Sequence, residues 1–166
     1  MNDSDHIRSL RIPLDLSIRL RGVRDARKAL SHGLRTTMSL FGVAEGAVAT
    51  LKPGRERADL IYRLPVGAPW NLRLLTDYLL GARPAIPPGT LLAPVERRGR
   101  NWAVLAIRDR AAAFSSDHRQ LLFAVTEILS HAVQHVDEQR IQDVRRKLER
   151  KIAHRKDAKD LMYDIL

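Results

Sequence analysis

The stretch Asn101–Gln134, NWAVLAIRDRAAAFSSDHRQLLFAVTEILSHAVQ, decides the fold. Trp102–Ile107 is apolar at every position, the pattern of a strand covered on both faces and therefore central in a sheet. Ser115 or Ser116 then offers a side-chain oxygen to the free amides of a first helical turn. Beyond it Leu122, Val125, Leu129, Ala132 and Val136 recur at steps of three and four, which predicts a long amphipathic helix. A central strand feeding a long one-sided helix implies an α+β domain whose last helix can pair with a second copy.

Working outward, Asp25 is placed to cap a helix running to Met38–Leu40, with Ala26, Ala29, Leu30, Leu34, Met38 and Phe41 on one side. Gly42 suits the left-handed residue that closes it. Two strands, Ala47–Leu51 and Ala58–Leu64, follow as a hairpin whose basic tip, Lys52-Pro53-Gly54-Arg55, has turn chemistry. After a Gly/Pro loop at Pro65–Pro69, Trp70–Leu80 reads as a helix with Leu74, Leu75, Tyr78 and Leu79 inward. Pro87-Pro88-Gly89 prohibits a helix and turns into a strand at Leu91–Val95, and Arg97-Arg98-Gly99-Arg100 is the next turn.

Before Asp25 the chain is read as an extension, residues 1–24. Leu10, Ile12, Leu14, Leu16, Ile18 and Leu20 alternate with polar residues, which favours a strand. Leu16, Leu20 and Val23 also share one helical face, so a helix remains the alternative. Residues 25–137 form the expected domain. Residues 138–166 form an expected helical linker in which Ile141, Val144, Leu148, Ala158, Met162 and Ile165 fit a later heptad frame, after a phase slip near Val136–Ile141. Lys151 and Arg155 interrupt that frame. The chain stops inside this pattern, as though more protein follows.

Composition narrows the function. At 166 residues and 45% hydrophobic content the chain holds one domain with a real core. Without Cys there are no disulfides, thiolate nucleophiles or thioether-linked chromophores. No secretory signal pattern and no membrane-length apolar segment occur, so a soluble cytoplasmic protein is expected. The net charge of +10 reports on association and not on fold.

The order helix, hairpin, helix, short strand, two strands and long helix resembles the GAF family across residues 25–137. The local matches are Leu40-Phe41-Gly42 before the Glu45-Gly46 strand entry, Leu91–Val95, Trp102–Ile107, and Phe114-Ser115 leading to Leu121-Leu122. Asp160–Leu166 looks like the start of a second such domain's first helix. The resemblance implies a central antiparallel sheet flanked by helices and pairing of the first and last helices, here Asp25–Leu40 and Leu121–Leu148, in a homodimer. It also implies a regulatory role that is passed to a C-terminal output domain. Relatives of this kind bind nucleotides, tetrapyrroles or metabolites beside the sheet. The tetrapyrrole-anchoring Cys is missing here, no cyclic-nucleotide pattern is recognisable, and Pro87-Pro88-Gly89 stands where a lid is expected. The identity of any cofactor or ligand is left open.

If a ligand site exists, its expected walls are Trp70, Arg73, Leu74, Asp77 and Tyr78 with Trp102, and Arg73 would pair an anion. The plainer expectation is that the apolar members fill the core while Arg73 and Asp77 form an exposed i, i+4 pair. His131 and His135 stand one helical turn apart, but without a third ligand or a following Glu they do not predict a metal. No nucleophile elbow or phosphate loop is present, so catalysis is not expected. Arg145-Arg146-Lys147, with Arg150 and Lys151, could grip phosphates, but the interleaved Asp143 and Glu149 mark an ordinary solvated helix. Nucleic acid is therefore the weaker alternative to a sensory module or a ligand-free dimerisation scaffold.

Overall fold

A computed structural model describes residues 15–109, 111 and 114–163. Residues 15–20 are helical (α1), followed by α2 (Ala26–Phe41), β1 (Glu45–Thr50), β2 (Asp59–Leu64), α3 (Leu72–Leu79), β3 (Thr90–Arg97), β4 (Arg100–Arg108) and α4 (Ser116–Tyr163). The strands form one antiparallel sheet in the order β2-β1-β4-β3, so the apolar Trp102–Ile107 run does lie in a central strand. The chain divides into two compact units that part between Gln134 and His135.

The strand expected over residues 10–20 is not observed where it can be checked. Residues 15–20 are helical, and residues 10–14 lie outside the described ones. In a strand Leu16, Ile18 and Leu20 would share a face. The helix keeps Leu16 and Leu20 together in the core and turns Ile18 out, at 54% exposure. Burying two leucines on the larger hydrophobic cluster, at about 1.5–3 kcal/mol each, outweighs the alternation.

Local chemistry explains the boundaries of the first unit. Asp25 Oδ1 accepts from the Arg27 amide at 2.8 Å, and Gly42, at φ 63°, closes α2 by donating to Met38 O. The β3–β4 hairpin turns through Arg98 and Gly99, both at positive φ (54° and 70°), a two-residue turn whose twist matches its strands. At the start of α4 the His118 amide donates to Ser115 Oγ at 3.3 Å and the Ser115 amide donates to His118 Nδ1 at 3.1 Å. This is a reciprocal capping box with histidine in place of the usual glutamate.

The sheet separates two apolar layers. On one face Leu16, Leu30, Leu34, Leu122, Val125, Leu129 and Val133 pack over Val48, Ala93, Leu105 and Ile107. On the other, Leu74, Leu75 and Leu79 of α3 cover Ala47, Ala49, Leu92, Val104 and Ala106. Small alanines on this side let one short helix lie close to the strands.

Two bulges interrupt the alternation. Val95 pairs with Ala103 but Glu96 with Asn101, which leaves Trp102 as an extra residue. Val48 pairs with Tyr62 but Ala49 with Leu60, which does the same for Ile61. An extra residue re-aims its side chain. Trp102 and Ile61 accordingly pack with the larger cluster, on the side of their neighbours Ala103 and Tyr62.

Candidate functional site

The expected ligand walls lie mainly on α3. Asn71 starts this helix by accepting the Leu74 amide at 3.1 Å, and the helix buries Leu74 against the sheet. Thr76, also buried, accepts the Ala58 amide at 3.1 Å and donates to Leu72 O at 2.7 Å, tying the helix to the chain entering β2. Tyr78 donates its hydroxyl to Leu92 O at 3.2 Å. Burial pushes the Tyr78 phenol pKa above its ordinary 10.0.

Trp70, Leu74 and Tyr78 are thus gathered on the α3 face of the sheet. Arg73 and Asp77 are not: their side chains are 91% and 42% exposed and face each other at 3.9 Å, the plain i, i+4 pair. Trp102 is turned by its bulge to the opposite cluster, where the guanidinium of Arg97 lies 4.7 Å from its ring. The site as expected from sequence is therefore divided among three environments, and its cation points into solvent.

Arg108 is the charged residue that sequence reading passed over. It bonds the Glu45 carboxylate across the β1–β4 pairing, donates to Pro69 O at 3.1 Å and lies 4.7 Å over the Trp70 ring. These contacts hold the loop before α3 onto the strand ends. Trp70 Nε1 beneath it is buried without a hydrogen-bond partner among the described residues. An Arg at the end of an apolar strand is the only trace this arrangement leaves in the sequence.

β3 is an edge strand, and two of its backbone groups are taken by side chains of the flanking helices. Tyr78 takes Leu92 O, and the Glu96 amide donates to Ser130 Oγ at 2.8 Å. Pro94 lies midway between them on the same outward row and has no amide to offer. Such an edge resists pairing with another strand.

The remaining candidates resolve simply. Among the described residues no group of three metal-ligating side chains is present, and His135 Nε2 meets Gln139 Nε2 at 2.9 Å. In the basic run, Arg145 pairs Glu149 at 2.9 Å and Arg146 pairs Asp143 at 4.0 Å along the helix, so two of its cations are answered locally. No helix among the described residues is long and apolar enough to cross a membrane.

The arrangement of this sheet, with α2 and α4 on one face and α3 on the other, recurs in solved structures. The GAF domain of the potassium sensor histidine kinase KdpD from Escherichia coli superposes with a TM-score of 0.64 at 11% identity, covering 79% of this chain and 96% of that one. The GAF domain of an Acinetobacter phosphoenolpyruvate-protein phosphotransferase gives 0.60 at 14% identity, covering 83% and 97%. The chain adopts the GAF fold. A bacteriophytochrome from the photosynthetic bacterium R. palustris matches at 0.64 and 14% identity, with 92% of this chain covering 42% of that protein. No family model and no curated protein matches the sequence. At such identities the likeness establishes the GAF fold, and function has to be argued from this chain's own residues.

Proposed function

We propose that this chain is a cytoplasmic regulatory module of a multidomain signalling protein, which dimerises through α4 and passes a conformational bias along that helix to an output domain. One observation carries the reading. In the second unit Ile141, Val144, Leu148 and Ile152 are 59%, 51%, 55% and 64% exposed, a row of large apolar side chains at steps of three and four on an uninterrupted helix. Such a stripe matches the seam of a two-stranded coiled coil, and water is a poor partner for it. Among the described residues α2 exposes no large apolar side chain, so the seam belongs to α4. Supporting the role, the GAF fold occurs in the histidine kinase and the phosphotransferase compared above.

Sedimentation at about 50 μM, well above the Kd of a useful dimer, tests this. A dimer is expected, and Ile141→Gln with Leu148→Gln should yield a monomer with unchanged helicity. A monomeric parent chain at that concentration overturns the reading.

A second reading, a ligand-free scaffold, is favoured by the α3 face. Leu74, Leu75 and Leu79 fill it and Arg73 points away. It predicts that no nucleotide, haem or metabolite raises the thermal midpoint, since only a ligand of the native state does so. A shift that survives replacement of both Trp70 and Tyr78 by Ala would remove those residues from any site.

A further inference from the structure

At the start of β3 the chain leaves Pro87-Pro88-Gly89 in a tight turn. The Thr90 amide donates to Pro87 O at 3.2 Å, and the Asp109 amide donates to Gly89 O at 2.8 Å, which pins the turn to the end of β4. Tyr78 approaches from α3 on one face of the sheet, and Arg119, Leu122 and Phe123 approach from the first turns of α4 on the other. Between them, around the sheet edge, lies a cavity of about 400 Å³. That volume falls in the range of small-molecule sites, roughly 300–1,000 Å³.

Its walls divide by chemistry. Ile86, Pro87, Pro88, Leu122 and Phe123 are apolar, and two of them, Ile86 at 44% and Phe123 at 50%, leave much of their surface in water. A bound apolar body would cover both. Thr90 is only 8% exposed, lines the cavity, and carries a hydroxyl that can donate or accept a hydrogen bond. Arg119 lines the α4 side and has no ion pair among the described residues. A guanidinium offers two parallel donors to a carboxylate. One cation beside apolar walls suits a monoanion better than a phosphate, whose higher charge asks for several donors.

We propose that this edge cavity binds a small amphiphilic monocarboxylate, an aromatic or branched-chain acid. Its carboxylate pairs Arg119, its body lies between the two prolines and Phe123, and a polar atom receives the Thr90 hydroxyl. This site is separate from the α3 walls expected from sequence, sharing only Tyr78. It gives the regulatory reading an effector class, yet binding here requires no dimer.

The test is calorimetric titration of the full chain with phenylbutyrate, indoleacetate and isocaproate, each against its neutral amide. At least one acid should bind at a single site with a Kd on the order of 0.1–1 mM, as expected for so few atoms, and about tenfold more tightly than its amide. Arg119→Gln should remove that preference and leave amide binding unchanged. Thr90→Val, which preserves shape, should weaken the acid several-fold. No saturable binding of any acid, equal binding of acid and amide, or a parental preference in Arg119→Gln would each overturn the proposal. A monomer that still binds the acid overturns only the dimer reading, and a dimer that binds none overturns only this one.

Discussion

Gly33 and Leu129 meet where α2 and α4 lie together on the sheet: a Cβ at Gly33 would stand 2.4 Å from Leu129 Cδ1 and 2.6 Å from Cδ2. Leu129 is fully buried, so it has nowhere to retreat without moving its neighbours. In an open helix Gly→Ala gains about 1 kcal/mol from backbone entropy. Here overpacking, about 1–3 kcal/mol, opposes it. Gly33→Ala should therefore lose about 1 kcal/mol in urea unfolding, and Leu129→Ala added to it should show strong non-additivity, because the second change removes the clash. A stabilised Gly33→Ala would mean that Leu129 swings aside freely.

The same pair shows what a sequence can and cannot display. The face of α2 was legible because Ala29, Leu30 and Leu34 recur at helical spacing, and all three are buried. Gly33 and Thr37 complete that buried face, but nothing in a hydrophobic pattern marks a glycine as a contact. Trp102 is expected from the sequence beside the α3 walls, in a run apolar at every position, and one extra residue in the ladder turns it to the other face. Bulges of this kind leave no local signature. Residues 15–20 carried both periodicities, and the deciding quantity was tertiary burial. The edge cavity was still less visible, since Thr90, Pro88 and Arg119 come from separate segments and converge only in the fold.

The Tyr78 hydroxyl bond to Leu92 has a pH signature. Burial raises the folded phenol pKa above 10.0, so the folded state holds this proton more tightly than the unfolded chain. Stability from this group is complete below pH 10.0 and is lost as pH climbs through the folded value. Tyr78→Phe should flatten that alkaline loss, and near neutral pH it should cost about 0.5–1.5 kcal/mol for the bond to Leu92. Ultraviolet titration should show a phenol ionising above pH 10.0 that Tyr78→Phe removes. An alkaline stability profile identical in the variant would assign the loss to another group.

The β3 edge should be convertible into an adhesive one. Pro94→Val restores an outward amide, and Ser130→Ala frees the Glu96 amide now held at 2.8 Å. An edge with two free donors is a template for another strand. The double variant should self-associate by light scattering, while each single variant does so weakly or not at all. Equal behaviour of parent and double variant would show that these two positions do not guard the edge.

Arg108 and Glu45 offer the sharpest test of how the loop before α3 is held. Their side chains are 21% and 20% exposed, intermediate between a surface pair of little worth and a fully buried one. Arg108→Met retains the aliphatic stem but loses the Glu45 and Pro69 bonds and the charge over Trp70. Removing the Arg108 donors from a mostly buried carboxylate should cost about 1–3 kcal/mol. Arg108→Lys should fall between the two, since one ammonium cannot reproduce the fork that reaches both acceptors. With Trp102 replaced by Phe, the remaining emission reports Trp70 alone, and Arg108→Met should shift it while Arg73→Met should not. The contrast separates the arginine that clamps this loop from the one that merely pairs with Asp77 in water.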